Sequence, residues 1–284
     1  MNGGPDNNHG IDALLPAEIA QKAEIIGVAK TRADTVRLLA LSVMAGAFIA
    51  FGAMFATTVL AGADGVIPFG LSRLLSGLVF CLGLVLVVLG GAELFTGNTL
   101  MVMAWAARKV SLREMLRAWG IVYVGNFVGA VGTAGLVFLS GQYLAGKGSV
   151  ATVALNIALT KVSLSFDHAL FLGILCNVLV CLAVWLTYGA RTTADKVLAL
   201  VFPVSAFVVA GFEHSVANMY FIPLGLFIKA WGPAELSAAA GFSALTWMAF
   251  IASLVPVTIG NIIGGGGLVG AVYWFVYLRK RTER

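Results

Sequence analysis

The sequence predicts an all-α polytopic membrane protein with six transmembrane helices in two inverted three-helix repeats, of which spans two and five are broken. Composition is the first observation: 60% of the 284 residues are hydrophobic and only 11% are charged, whereas a soluble domain carries about 25% charged residues. The second is a series of six apolar runs that are each long enough to cross a bilayer. The third is a pair of similar polar motifs that interrupt two of these runs.

The N-terminal part of the chain is predicted to lie outside the bilayer. Residues 1–10, which include His9, form a polar tail. Pro16 is suited to a first helical position, and the apolar residues after it recur at helical spacing, so we expect a short amphipathic helix along the membrane face. The predicted divisions are 1–33 for the cytoplasmic tail and interfacial helix, 34–279 for a single six-span channel domain, and 280–284 for a short basic tail.

Six apolar runs follow the predicted interfacial helix. A bilayer core of about 30 Å is crossed by about 20 helical residues, and each run can cross it. A less hydrophobic stretch, 141–167, is expected to form a loop with a short helix. The runs cover 36–61, 71–89 with a continuation at 99–103, 115–139, 169–188, 197–228 and 245–278.

The positions of the lysine and arginine residues predict the orientation. With the N-terminus inside, 14 of the 18 lysine and arginine residues are cytoplasmic, which is the bias expected of a membrane protein. Both termini are then cytoplasmic, and the isoelectric point near 9.2 requires no nucleic-acid partner. The four outside residues are Arg73, Lys147, Lys161 and Lys229.

The interruptions of spans two and five share a sequence pattern. Residues 91–98 (GAELFTGN) and 211–218 (GFEHSVAN) both contain Gly-x-Glu with an Asn five residues after the Glu. The spans that follow also match, because 125–129 (GNFVG) corresponds to 260–264 (GNIIG). Two matched pairs in the same order predict a duplicated three-span unit, and an odd number of spans inverts the second copy. Interrupted spans at corresponding positions of inverted repeats indicate a substrate site.

The breaks are predicted to create a site for an anion. A break frees backbone N–H and C=O groups, which is tolerated only against protein or a water-filled cavity. Second half-helices are expected to begin near Asn98 and Asn218, and a helix N-terminus offers free N–H donors and about half a positive charge. Glu93 and Glu213 are expected to accept from the freed amides and to hold each loop in shape.

The remaining polar residues of the spans divide into functional and structural candidates. His214 lies deep in apolar sequence, where an ionisable group costs roughly 2.5–3.5 kcal/mol on insertion scales and is a functional candidate. Imidazole can donate a hydrogen bond to an anion or exchange a proton with it. We expect His214 to meet the substrate. Asn126 and Asn261 are expected to form hydrogen bonds between helices.

Five stretches together resemble one family of membrane proteins. Residues 91–98 with Leu-Phe-Thr, 211–219 (GFEHSVANM) and 256–265 (PVTIGNIIGG) are the longest of them. Residues 123–126 (YVGN) and 181–185 (CLAVW) fit the same pattern. The motifs cover nearly the whole chain and are similar to those of the formate/nitrite transporter family, most of all to its formate channel branch.

The resemblance implies a homopentamer of aquaporin-like protomers in a prokaryotic cytoplasmic (inner) membrane, each with its own pore. It implies no enzyme activity, no cofactor and no metal ligand. The family's central histidine and loop threonine correspond to His214 and Thr96. Its outer-vestibule lysine corresponds to Lys161, and the asparagine of span four to Asn177. Its pore constrictions correspond to Phe80, Leu84, Leu94, Phe95, Val180 and Phe207.

The expected function is a passive channel or proton-linked transporter for formate and similar small monovalent weak-acid anions. Lys161 is expected to concentrate the anion, and His214 and Thr96 to receive it between apolar constrictions. The substrate crosses either as the anion or as the neutral acid, which avoids the desolvation penalty of a bare charge. Nitrite, hydrosulfide and lactate are the alternative substrates within the family.

Two other classes of function compete with this prediction. A water or glycerol pore also uses paired half-helices, but Asn98 and Asn218 precede Thr and Met and do not form the Asn-Pro-Ala motifs expected there. An intramembrane enzyme is disfavoured because the sequence has no Gly-x-Ser-x-Gly or His-Glu-x-x-His motif.

Overall fold

The computed structural model describes residues 13–237 and 241–279, and these residues form helices and connecting loops without a β-strand. The predicted polar tail, His9 and the basic tail 280–284 lie outside the described residues. Five helical segments are long and apolar enough to cross a membrane, which confirms the all-helical membrane fold at this coarse level. They are Thr35–Leu60, Phe69–Gly90, Leu112–Leu139, Phe166–Gly189 and Trp247–Leu278.

Twelve α-helices make up most of the described chain. The first six are α1 (Pro16–Thr31), α2 (Thr35–Leu60), α3 (Phe69–Leu89), α4 (Phe95–Asn98), α5 (Val102–Ala106) and α6 (Leu112–Leu139). The next six are α7 (Ser149–Val162), α8 (Phe166–Gly189), α9 (Thr193–Val209), α10 (Ser215–Trp231), α11 (Ala234–Ser237) and α12 (Trp247–Asn261). Short 3₁₀ turns occur at 99–101, 142–144 and 242–244, and α12 continues into the π-helical segment Ile262–Ala271.

Polar side chains fix the starts of several helices. The Asp34 carboxylate accepts hydrogen bonds from two amides in the first turn of α2. Before α6, Ser111 and Glu114 form a capping box, in which the Glu114 carboxylate accepts from the Ser111 amide and the Ser111 hydroxyl accepts from the Glu114 amide. Such caps contribute about 1 kcal/mol each, so these termini are defined by local sequence.

The long helices pack as two similar sets. Helix α2 packs against α3 and α6, and α8 packs against α9 and α12. Close approaches occur at the second glycine of each GN-x-x-G motif: a Cβ on Gly129 would lie 1.9 Å from the Val43 carbonyl oxygen, and one on Gly264 would lie 2.2 Å from that of Ile174. The glycines therefore allow backbones to touch, as small residues do in membrane interfaces.

Helix α1 is anchored to the rest of the protein. It begins at Pro16, and its residues Ile19 and Ala23 are buried in a cluster with Met103 and Trp185. One face of α1 therefore covers the ends of α5 and α8, which places Lys30, in its last turn, beside the first broken span.

Candidate transport pathway

Two non-helical stretches break the paths of the predicted spans two and five. Residues 90–94 separate α3 from α4, and 210–214 separate α9 from α10. Both turn at a glycine in the left-handed region, with φ of 73° at Gly91 and at Gly211. An L side chain disfavours that conformation by roughly 1–2 kcal/mol, which explains why the Gly-x-Glu motif begins with glycine.

The half-helices begin earlier than the sequence predicts. Helix α4 begins at Phe95 and α10 at Ser215, rather than near Asn98 and Asn218. The residue before each start, Leu94 or His214, is extended, so the helix begins as soon as the loop ends. The two asparagines consequently lie within the first helical turn, from which their side chains reach back to the loop.

Asn126 of α6 holds the first break together. Its Nδ2 donates to the carbonyl oxygens of Ser42 at 2.7 Å and Glu93 at 2.9 Å. Its Oδ1 accepts from the Phe95 amide at 2.8 Å. The side chain is buried, so it supplies hydrogen-bond partners to backbone groups that the break has freed.

Asn261 of α12 holds the second break in the same way. Its Nδ2 donates to the carbonyl oxygens of Gly173 at 2.8 Å and Glu213 at 3.0 Å, and its Oδ1 accepts from the Ser215 amide at 3.0 Å. Each asparagine thus joins two helices and the broken loop between them.

An ion pair lies at the first break. The Glu93 carboxylate accepts from Lys30 Nζ at 2.8 Å and from Asn98 Nδ2 at 2.8 Å. Lys30 Nζ also donates to Asn98 Oδ1 at 2.8 Å. Lysine, glutamate and asparagine therefore form a closed group of three side chains.

A matching ion pair lies at the second break. Glu213 Oε1 accepts from Lys161 Nζ at 2.8 Å, and Glu213 Oε2 accepts from Asn218 Nδ2 at 2.7 Å. Both charged side chains are largely buried. The pair thus repeats the lysine, glutamate and asparagine of the first break.

The predicted partners of the two glutamates were wrong. The amides that begin the half-helices bind Asn126 and Asn261, while the glutamate carboxylates bind lysine and asparagine side chains. A carboxylate removed from water needs a counter-charge as well as hydrogen bonds. An ammonium group supplies both, and a neutral amide supplies only the hydrogen bond.

His214 and Thr96 meet between the two breaks. His214 Nε2 lies 2.9 Å from Thr96 Oγ1, and both side chains are buried. His214 Nδ1 accepts from the Ala217 amide at 3.0 Å and caps α10. A ring nitrogen that accepts carries no proton, so the hydrogen-bond network assigns the proton of the neutral ring to Nε2, where it faces Thr96. The pair offers a neutral N–H donor and a hydroxyl group.

Two cavities approach this pair from opposite breaks. The Lys161 cavity, about 340 Å³, is lined by Lys161, Glu213 and His214 among others. The Lys30 cavity, about 180 Å³, is lined by Lys30 and Glu93 among others. Each cavity therefore combines one of the two ion pairs with apolar walls.

Four of the six residues predicted as constrictions line these cavities. Phe80 and Phe207 line the Lys161 cavity, with their ring centroids 5.5 Å apart in an edge-to-face arrangement. Leu84 and Leu94 line the Lys30 cavity. All four are buried, so each cavity has a pair of apolar side chains in its wall.

Four of the predicted pathway residues line neither cavity: Thr96, which contacts His214, and Phe95, Val180 and Asn177. Phe95 and Val180 are buried in the core. Asn177 lies behind Thr96, where its Nδ2 is 3.2 Å from the Thr96 carbonyl oxygen and 2.5 Å from that of Asn261. Asn177 therefore supports the position of Thr96 and links the two halves of the chain.

Sequence reasoning treated Lys30 and Arg73 only as charges that set the orientation. Lys30 is the second-last residue of α1, and Lys161 is the second-last residue of α7. Each of these helices directly precedes the first long helix of its set. That shared position was visible in the sequence. The structure also shows that Arg73 donates to the carbonyl oxygens of Val208 and Val209, which no sequence pattern indicated.

Long apolar helices with buried polar groups between two cavities, each with an ion pair in its wall, are typical of a membrane transport protein of the channel type. The formate/nitrite transporter family model matches residues 17–275. The chain belongs to that family, which confirms the predicted family and a transport role in place of an enzymatic one.

Named relatives are similar over nearly their whole length. Formate channel FocA of Escherichia coli is 44% identical over 96% of this chain and 97% of its own. Formate channel FocA of Haemophilus influenzae is 37% identical over 91% of this chain and 93% of its own. A probable formate transporter of Methanothermobacter thermautotrophicus is 39% identical over 93% of this chain and 97% of its own.

Solved structures agree with the family. A pentameric formate channel with formate bound is 40% identical and superposes with a TM-score of 0.81 over 86% of this chain and 98% of its own. An ion channel of the FNT family is 29% identical, with a TM-score of 0.80 over 91% and 98%. The aquaglyceroporin of Plasmodium falciparum, at 16% identity and a TM-score of 0.51 over 84% and 99%, shares only the fold.

Proposed function

We propose that the protein is a passive channel or proton-linked transporter for formate and similar small monovalent weak-acid anions. The observation that carries the proposal is the buried His214–Thr96 pair between two cavities that each hold a lysine. A neutral N–H donor and a hydroxyl suit a small carboxylate. The formate channels among the relatives favour formate over nitrite as the substrate.

In the proposed topology, α9 and α10 together form a further span, which makes six. The two sets of helices are then inverted repeats, with spans two and five broken at 90–94 and 210–214. The matched loop contacts of Asn126 and Asn261 support this arrangement. Helices α1 and α7 extend the repeat, because each ends in the lysine that binds the glutamate of a break.

The proposed mechanism begins with attraction of the anion into a cavity by its lysine. The Lys161–Glu213 and Lys30–Glu93 pairs receive the anion at the two ends of the pathway. His214 Nε2–H then replaces part of the hydration shell, which reduces the desolvation penalty in the apolar section. Phe80, Phe207, Leu84 and Leu94 form the apolar constrictions that exclude larger solutes.

His214 is a poor proton carrier because its Nδ1 caps α10. Protonation of Nδ1 would place an N–H group against the Ala217 amide, 3.0 Å away, and remove the hydrogen bond that begins α10. We therefore propose that His214 acts as a neutral donor. If the substrate crosses as the neutral acid, its proton enters from the water of a cavity.

We further propose a homopentamer in a prokaryotic cytoplasmic membrane, with both termini and Lys30 on the cytoplasmic side and Lys161 outside. The pentameric formate channel with a TM-score of 0.81 supports this assembly. Residues 34–279 then form the six-span channel domain, and 1–33 the cytoplasmic tail with its interfacial helix.

Flux measurements in proteoliposomes test the function. The purified protein should transport formate between pH 5 and 8, with nitrite, hydrosulfide and lactate measured under identical gradients. Swelling in glycerol serves as the neutral-solute control, and empty liposomes as the background. Glycerol flux without formate flux would replace the proposal with a neutral-solute pore, and faster nitrite flux would change the substrate.

A further inference from the structure

The two cavities differ in net charge. Arg73, Lys161 and Glu213 are the charged residues that line the Lys161 cavity, which leaves one positive charge in excess. Lys30 and Glu93 are the charged residues that line the Lys30 cavity, where the charges balance. The near two-fold correspondence of the breaks therefore does not extend to their electrostatics, and Arg73 is the residue that makes the difference.

The guanidinium of Arg73 is bound by neutral partners. Arg73, near the start of α3, donates through Nη2 to the Val208 carbonyl oxygen and through Nε to that of Val209 at 3.5 Å. Carbonyl groups hold the side chain in place without cancelling its formal charge. Lys161 is different, because its ammonium lies 2.8 Å from the carboxylate of Glu213.

Asp64 does not neutralise Arg73 by direct contact. Asp64 lines an adjoining outer cavity together with Arg73. The ion pairs within 4.0 Å that the described residues form are Lys30–Glu93, Lys109–Glu24 and Lys161–Glu213, and Arg73 takes part in none of them. Glu213 also attracts Arg73 at longer range, but it is already bound by Lys161, so the three groups together leave one positive charge for a mobile anion.

Arg73 also lies at the negative end of a helix, where it binds the last carbonyl oxygens of α9. Val208 and Val209 are the last residues of α9, and the carbonyl groups at this end of the helix carry about half a negative charge. A guanidinium at this end removes a repulsion that an anion in the Lys161 cavity would meet. At the other break, Lys30 donates to Glu93 and Asn98 and not to the end of α3.

We propose that Arg73, rather than Lys161 alone, supplies the net positive potential that draws anions into the Lys161 cavity. The inference rests on the proposed function as an anion pathway. Attraction by a single charge raises the local anion concentration and is screened by salt. Arg73 therefore raises the rate of anion entry most when the substrate concentration and the ionic strength are both low.

The test measures uptake of labelled formate into proteoliposomes at a concentration far below saturation. Ionic strength is set with potassium gluconate at about 0.01 M or 1 M, which gives Debye lengths of about 30 Å and 3 Å. The variants are Arg73→Gln, which removes the charge and keeps a hydrogen-bond donor, and Arg73→Lys, which keeps the charge. Lys147→Gln is the matched control, because Lys147 is exposed on the loop before α7 and lines neither cavity.

A fourth variant leaves the end of α9 intact. Asn156 is exposed and lines the same cavity as Arg73. Asn156→Asp adds one negative charge there and cancels the excess without touching the carbonyl groups of Val208 and Val209. If Arg73→Gln fails to fold or assemble, Asn156→Asp alone tests whether the excess positive charge draws anions into the cavity.

We expect Arg73→Gln and Asn156→Asp to lower uptake about threefold to tenfold at low ionic strength and less than about twofold at high ionic strength. Arg73→Lys and Lys147→Gln should stay within about twofold of wild type. Equal losses at both ionic strengths, a loss in Arg73→Lys as large as in Arg73→Gln, unchanged uptake in Asn156→Asp, or an equal loss in Lys147→Gln would overturn the inference. Absence of formate uptake by the wild type would instead overturn the proposed function.

Discussion

The two ring nitrogens of His214 have separate tasks, and each depends on the other. Nδ1 caps α10 by accepting from the Ala217 amide, which directs Nε2–H towards Thr96. Because the cap fixes the tautomer, the donor at the centre of the proposed pathway is set by backbone geometry. Transport and stability should therefore respond differently to substitutions at this residue.

We predict that His214→Phe and His214→Asn both lower formate flux by about tenfold or more, since each loses a hydrogen bond to a charged substrate. Asparagine is a favoured N-cap, so only His214→Phe should lose about 1 kcal/mol of stability. Proteoliposome flux between pH 5 and 8 and thermal unfolding in detergent measure the two effects. Flux unchanged at every pH in His214→Phe would remove the histidine from the mechanism.

The hydroxyl of Thr96 is the second polar group at the centre. Thr96→Val keeps the shape and removes the hydroxyl that lies 2.9 Å from His214 Nε2. We expect flux to fall about fivefold to tenfold, the effect of one hydrogen bond of about 1–1.5 kcal/mol. Thr96→Ser is the matched control and should transport within about twofold of wild type. If Thr96→Val transports as well as Thr96→Ser, the threonine acts only by its volume.

The two non-helical stretches 90–94 and 210–214 owe their shape to two features that both halves share. A glycine with φ of 73° turns the chain after α3 and after α9, and an asparagine from a long helix binds the loop that follows. The loops are thus held by contacts that do not involve the transported solute. We infer that the breaks persist when no substrate is present.

We predict that Gly91→Ala and Gly211→Ala each destabilise the protein by about 1–2 kcal/mol through the left-handed backbone. No heavy atom lies within 4 Å of a Cβ at Gly91, and the nearest atom to one at Gly211 is 3.6 Å away, so steric overlap is not the cause. Gly120 in α6 also has open space around it, and Gly120→Ala should raise stability by about 0.5–1 kcal/mol. Thermal unfolding in detergent compares the three variants. Equal stability of all three would show that the turns are not strained.

At the scale of the whole molecule, exposed basic residues lie near both ends of the long helix α6. Lys147 lies on the exposed loop before α7, and Arg113 lies exposed in the first turn of α6. Because α6 is long enough to cross a membrane between these positions, the proposed topology places them on opposite sides. The proposed orientation places Lys147 outside the cell.

We predict that a membrane-impermeant maleimide labels Lys147→Cys in intact cells and labels Arg113→Cys only after the cells are permeabilised. The three native cysteines are buried, so the wild-type chain serves as the unlabelled control. The reverse pattern would invert the proposed orientation. Labelling of both variants in intact cells would place both ends of α6 on the same side.

Much of the fold was predictable because its signals are local. Apolar length identified the long helices, and the shared Gly-x-Glu and GN-x-x-G motifs identified the two similar halves. The starts of α4 and α10 were predicted too late, since a loop residue in extended conformation ends a break without any sequence signature. The partners of Glu93 and Glu213 were also mispredicted, because their lysines are distant in sequence.

The sequence by itself determined the family, the long apolar helices, and His214 and Thr96 as candidates, because composition and short motifs carry that information. Only the tertiary structure decided which groups meet: Lys30 with Glu93, 63 residues apart, and His214 with Thr96, 118 residues apart. It also revealed the excess charge of Arg73, whose carbonyl partners lie 135 and 136 residues away. The physical reason is that burial in an apolar protein makes every polar group depend on its spatial neighbours, and those neighbours are distant in the sequence.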